Sequence, residues 1–231
     1  MKTGIIAQPK NQWLLLGVLA IAAFTTLITK KGPEPFPGRE REIITRSDSV
    51  MYVTVMPEDS AILRTPSADL TAEELASPLL QELMAKMLRT VQDPSQDGIG
   101  IAAPQVGINK RVIWLQRLDQ DGEPWRCYLN MHIDSLFGPK LCGPEGCLSL
   151  PTLRGNVVRD SSVIVSFINP ETMTPSRDTI HGYTARLFQH EIDHLEGIVY
   201  ADRSDSLFVS DSWAAERRSY SYTRPSWWPD L

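Results

Sequence analysis

With 231 residues, 42% hydrophobic against 22% charged, the chain has the balance of a globular protein with room for one catalytic domain and tails, which excludes collagen and wholesale disorder. A net charge of -5 and the lack of any dense Lys/Arg stripe leave no source for counterion-release affinity, so nucleic acid is set aside as a partner. Three cysteines, Cys127, Cys142 and Cys147, are an odd number in a domain too large to need disulfide staples. At least one is expected to be a free thiolate or a ligand, and a Cys127–Cys142 disulfide is the pairing that export would allow.

The first segment, Trp13–Ile28, carries no charge and is closed by Lys30-Lys31, as a membrane-targeting element is. It falls just short of the roughly 17 to 25 residues that span a bilayer as a helix. Thr29 and snorkelling lysines lengthen it, so residues 1–31 read as a single-pass anchor; a signal peptide cleaved near Ala20-Ile21-Ala22 is the alternative. Lys30, Lys31, Arg39, Arg41 and Arg46 outnumber Lys2 and Lys10, which puts the rest of an anchored chain on the cytoplasmic side, whereas cleavage would export it. Residues 32–47 open with GPEPFPG and read as a stiff spacer. The catalytic domain is therefore placed at 48–205.

Within that domain Val50–Val55 alternates like a strand, and Ala61–Leu70 reads as an extended arm. Thr71-Ala72-Glu73-Glu74 is a capping box, and Leu75, Leu79, Leu83, Met87 and Val91 then recur near i, i+4 until Asp93-Pro94. One helix is predicted there. Arg111–Gln116, Cys127–Ile133 and Val163–Asn169 have strand composition, with Asp121-Gly122 as a hairpin turn. A second helix runs from about Tyr183 to Gly197. Residues 206–231 form a tail with a short helix around Trp213–Arg218 and a Trp227-Trp228 pair, read either as surface packing or as membrane-interface contact. Strands in the middle and helices on both flanks predict an α+β domain, with mixed or antiparallel sheets packed around the second helix rather than βαβ units.

Gln189-His190-Glu191-Ile192-Asp193-His194 carries the strongest chemical signal. Two histidines at i and i+4 project from one helical face and can share a metal ion, and in such H-E-x-x-H sites the glutamate beside them takes a proton from the attacking water. A catalytic ion of this kind needs a third protein ligand. Two residues compete: Glu216, at the distance where some metallopeptidases place a carboxylate, and Cys147, presented by the compact turn Glu145-Gly146-Cys147-Leu148-Ser149. A third segment, Gly98-Ile99-Gly100-Ile101-Ala102-Ala103-Pro104-Gln105, lacks the Lys-Ser/Thr of a phosphate loop. Its glycines let a substrate backbone approach closely, and Gln105 supplies an amide donor.

In order, spacing and wording, GIGIAAPQ, EGCLS and QHEIDHLEG resemble the peptide deformylase family over about residues 50 to 205, with Arg154 and Asp202-Arg203 also falling where the family has such residues. The resemblance implies a metal-dependent hydrolase that removes the formyl group from the N-terminal formylmethionine of new polypeptides, usually with Fe(II) and often tolerating Zn(II) or Ni(II). It makes Cys147, His190 and His194 the ligands and Glu191 the acid/base. Gln105 and the Leu148 N–H would face the formyl oxygen, Gly98–Gly100 would pair with the substrate backbone, and Ile99, Tyr183, Leu187 and the His190 ring would form the methionine pocket. Arg154 is expected near the substrate, either paired with Glu145 or as a separate surface charge, and Arg186 with its stem packed and its head solvated. Nascent N-formylmethionyl chains near the ribosome are the partners this implies. Two other readings stay open: a membrane-tethered H-E-x-x-H peptidase using Glu216, and an inactive domain of the same fold that binds peptide termini.

Overall fold

The computed structural model describes residues 35–36, 38–96, 98–209 and 224–228. Trp13–Ile28, the helix expected around Trp213–Arg218, and Glu216 all lie outside them. Among the described residues no helix is long and apolar enough to cross a membrane.

The elements in chain order are α1 (Arg39–Arg46), α2 (Ser60–Leu63), α3 (Ala72–Leu75), α4 (Pro78–Val91), β1 (Gly100–Ala102), a 3-10 turn (Ala103–Val106), β2 (Val112–Gln116), β3 (Trp125–Cys147), β4 (Leu150–Asn169), β5 (Thr174–His181), α5 (Gly182–Leu195), a second 3-10 turn (Tyr200–Arg203) and β6 (Ser204–Val209). The sheet has the order β1-β2-β3-β4-β5, with β6 added to β4, and every pairing is antiparallel. The α+β expectation holds, and of the two sheet types it offered the antiparallel one is formed.

Alternation along β2 divides the core. Val112 and Trp114 face α1 and α4 in one apolar cluster, whereas Ile113 and Leu115 face α5 in the other, with Val163, Val165 and Phe188. Every residue of α5 from Thr184 to Leu195 is buried, so this helix is the central one.

Several local expectations are corrected. The helix predicted from the Thr71 capping box is two helices: the box forms and caps α3, but Ser77 caps α4 anew with Pro78 in its first turn, where a missing N–H costs nothing. Val50–Val55 joins no strand; it is held by single bonds such as Met51 N–H to Thr90 Oγ1 (2.8 Å) and Thr54 N–H to the Gln105 carbonyl (2.8 Å). The arm at Ala61–Leu70 begins as α2. The spacer expected over 32–47 is core structure at Phe36 and along α1, whose Ile43 and Ile44 are fully buried. An apolar pair in an eight-residue helix is too short to register as periodicity. Trp228 is likewise buried in the core, whereas its neighbour Trp227 is partly buried against the same cluster, as surface packing would have it. All three cysteines are free, so the Cys127–Cys142 disulfide is absent.

The strands run longer than composition suggested, because Gly138, Pro139, Gly143, Pro144 and Gly146 read as breakers. Beyond Leu129, β3 pairs only with β4, so one of its edges carries no ladder and tolerates prolines there. The resulting hairpin runs from Leu129 opposite Ile168 to Cys147 opposite Leu150. Its tip delivers Cys147 to the face of α5.

Candidate metal centre and active site

Cys147 ends β3, and its sulfur is wrapped by its own turn: the Ser149 N–H lies 3.4 Å from Sγ, and the Met56 N–H fastens the Ser149 carbonyl (2.9 Å). Facing it, α5 presents His190 and His194. Sγ is 3.1 Å from His194 Nε2, and one ligand atom from each of the three residues lies within 4.8 Å of the others. Bonds of 2.0–2.3 Å in a tetrahedral site separate ligand atoms by roughly 3.3–3.8 Å, so the set is sized for one first-row ion.

The protonation of the set agrees. Burial alone would raise the Cys147 thiol, but His194 and His190 beside it drive it well below its usual value, which makes it a thiolate. His190 Nδ1 is held by Glu145 Oε2 at 2.9 Å, which leaves Nε2 as its ligand atom. The donor set is therefore soft sulfur plus two imidazoles, suited to a divalent transition metal.

Glu145 is the residue whose role the sequence did not disclose. Its carboxylate takes a two-point contact from Arg159 (3.0 and 3.0 Å) and a third from Arg186 (2.8 Å), while Arg159 also reaches Asp193 (2.5 Å) and Arg203 closes on Asp193 from the other side (2.6 Å). This sets aside one of the two alternatives for Arg154, its pairing with Glu145, and corrects the expectation for Arg186. The cations paired to Glu145 are Arg159 and Arg186, whereas Arg154 lies across Gly146 in the space a Cβ there would take. The Arg186 head is buried, donating also to the carbonyls of Leu141 and Val157. Burial would raise the Glu145 carboxyl, but hydrogen bonds from His190 and Arg159 hold it well below the usual carboxylate range. Its ionised form thus contributes stability above about pH 4.5, the ordinary value, which is lost as pH falls through the depressed folded-state value. Glu145→Gln is expected to flatten this acid-side loss in denaturation midpoints, and to weaken metal binding about 10–100-fold in titrations with a competing chelator.

Glu191 is buried beside this set. Burial pushes its carboxyl up to about 7, and its Oε2 takes no hydrogen bond from any described residue. A Cβ on Gly100 would stand 2.5 Å from Glu191 Oε1 and 2.8 Å from Leu115, so glycine is required there by the packing of the Glu191 carboxylate. Gln105 is anchored through Oε1, which accepts from the Ala102 N–H (2.9 Å), so that Nε2 points at Cys147 Sγ and Ser149 Oγ, 3.4 Å from each.

These residues surround a cavity of about 300 Å³. Gly98, Ile99, Gly100, Gln105, Leu148, Arg154, Tyr183, Leu187 and Glu191 line it with Cys147 and His190; His194 sits behind them, 1% exposed. A larger cavity of about 650 Å³, between α4 and the β2–β3 hairpin, contains none of the ligand set. Chemistry rather than volume selects the smaller one.

A central helix bearing two histidines and a buried glutamate, closed by a thiolate from a neighbouring hairpin, defines a metal-dependent hydrolase. Comparison narrows the class. The sequence model of the polypeptide deformylase family matches residues 50–208. The peptide deformylase of Desulforudis audaxviator is 38% identical over 132 residues, covering 57% of this chain and 82% of its own length, and that of a Picosynechococcus strain is 39% identical over 143 residues, covering 60% and 73%. A class I type b peptide deformylase from Acinetobacter baumannii, solved bound to Met-Ala-Ser, superposes with a TM-score of 0.60 at 35% identity, over 67% of this chain and 99% of that one. The chain belongs to the polypeptide deformylase family. It is a metal-dependent hydrolase that removes the N-formyl group from the N-terminal formylmethionine of newly made polypeptides.

Proposed function

We propose that deformylation is carried out with Cys147, His190 and His194 as the protein ligands of one Fe(II) ion, Glu191 as acid/base, and Gln105 and the Leu148 N–H as donors to the formyl oxygen. The observation that carries this reading is the convergence of the three ligand atoms, within 4.8 Å of one another, at the back of the cavity that Cys147, His190, Glu191 and Gln105 line. An ion bound there supplies Lewis-acid polarisation of the formyl oxygen and lowers the pKa of water. The protein does the rest. Glu191 holds the proton taken from the attacking water and returns it to the leaving amine, a transfer its raised carboxyl is suited to near neutrality. Gln105 Nε2 is directed by the Ala102 N–H and contacts Cys147 Sγ and, at a long 3.4 Å, Ser149 Oγ, so it can turn to follow charge growing on the oxygen.

Gly98–Gly100 pairs with the substrate backbone as an added strand, and Ile99, Tyr183, Leu187 and the His190 ring take the methionine side chain, with Arg154 at the rim. Main-chain pairing reads no sequence after the first residue, as nascent chains of many proteins near the ribosome demand. Iron is preferred over Zn(II) or Ni(II) on the family resemblance, and a thiolate-containing set would leave Fe(II) open to oxidation, which gives the choice a test. Formate release from formyl-Met-Ala-Ser by the Fe(II)-loaded chain, prepared without oxygen and fading on aeration, is the expected result. Full activity after prolonged aeration with stoichiometric iron would remove the iron assignment; cleavage of internal peptide bonds instead of formate release would favour the peptidase reading.

The address follows from the front of the chain: Trp13–Ile28 tethers the catalytic domain to the cytoplasmic face of a membrane, where formylated chains emerge. Membrane fractionation with N-terminal sequencing tests it. A mature terminus beyond Ile28 in an exported soluble fraction would sink it.

A further inference from the structure

Two segments outside the family match meet behind the Gln105 turn. The match spans residues 50–208, whereas α1 and residues 224–228 flank it. Trp228 is buried, and its ring lies 2.6 Å from where a Cβ on Gly107 would stand, with Ile43 of α1 at 3.1 Å from the same point. Gly107 ends the 3-10 turn that carries Gln105, in the left-handed region at φ 81°, so packing and backbone both demand glycine. Tyr52 meets Trp228 edge-on at 4.9 Å, and the Arg46 guanidinium lies 5.0 Å over the Trp227 ring, tying the C-terminal segment to α1. Thr54 holds the same turn through two bonds, N–H to the Gln105 carbonyl (2.8 Å) and Oγ1 to the Pro104 carbonyl (3.1 Å).

The Gln105 side chain depends on this bracing. Its carboxamide is fixed at one end by Ala102 N–H, but the end facing the reaction is held to oxygen only by a long 3.4 Å contact to Ser149 Oγ, besides Cys147 Sγ at 3.4 Å, so a shift of the turn by a fraction of an ångström moves it out of line. The methionine pocket is insulated from such a shift: Leu187 and Ile99 belong to the apolar cluster around α5, on the other face of β2 from Trp228.

We propose that Trp228 is a positioning residue for Gln105, and that α1 with the Trp227-Trp228 segment forms a clasp, outside the family-shared part of the chain, that sets turnover rather than substrate affinity. This rests on Gln105 acting as donor to the formyl oxygen. The test uses the full metal-loaded chain with formyl-Met-Ala-Ser and four variants: Trp228→Leu, Trp228→Phe, Gln105→Ala and the double variant Trp228→Leu/Gln105→Ala. Trp228→Leu is expected to lower kcat about tenfold with KM and metal content unchanged, and Trp228→Phe, which refills the slot with a ring, to restore most of it. In the Gln105→Ala background Trp228→Leu should cost nothing further, because the group it positions is gone. Multiplicative losses in the double variant, or an unchanged kcat for Trp228→Leu, would overturn the proposal while leaving the Gln105 reading intact. Wild-type turnover by Gln105→Ala would overturn both. If Trp228→Leu fails to fold, a small kcat loss in Trp228→Phe that vanishes in the Gln105→Ala background supports the clasp, and one that persists there overturns it.

Discussion

Substituting Glu191 with glutamine is expected to lower kcat by about 10²–10⁴-fold, the range contributed by positioned acid/base groups, while the metal stays bound. The amide matches the carboxylate in size, and size matters because Glu191 lies directly over Gly100. What the substitution removes is proton affinity: glutamine can neither accept the proton of the attacking water nor deliver it to the amine. Formate release and metal content measured on one preparation separate this from loss of the ion. Wild-type-like turnover by a folded, metal-loaded Glu191→Gln protein would remove Glu191 from the reaction. The wild type should also show a pH signature. Burial raises the Glu191 carboxyl to about 7, the base is its ionised form, and kcat/KM should therefore rise as pH increases through that region.

Replacing Cys147 with alanine should have an effect of comparable size by a different route. Loss of a single outer contact to a metal ligand typically lowers affinity about 10–100-fold, and removal of a ligand should exceed that. The buried thiolate is also the only anionic member of the set, so alanine removes charge as well as a bond. Metal titration should show the loss directly. Metal added to the wild type should raise its thermal midpoint by mass action, and added to Cys147→Ala should leave it nearly unmoved. Glu216→Ala, made in parallel, should bind metal as the wild type does. The reverse pair of results would return the third ligand to the tail and revive the peptidase reading.

The outcome for each element follows the range over which its information is carried. The α5 histidines were legible because i, i+4 spacing is a local property of a helix, and the family wording around Cys147 and Gln105 added the third ligand and the donor. Boundaries were less legible. Ser77-Pro78 restarts a helix inside a continuous apolar pattern, and the prolines of β3 hid a strand that exists because its partner β4 holds one edge while the other needs no ladder.

By itself, then, the sequence determined the family and the α+β class and named the candidate ligands and acid/base, since each rests on residues close together in the chain or on quoted motifs. Only the tertiary structure decided what holds them. Glu145 receives its partners from β4 and α5, 14 to 45 residues away, and an ion pair at that separation leaves no periodic trace in the sequence. The Arg186 head reads as solvated and nothing local ties Arg159 or Arg203 to the site, until folding brings them to the buried carboxylates they neutralise. The same is true of Trp228, whose place beside Gly107 is set by packing between segments from opposite ends of the domain.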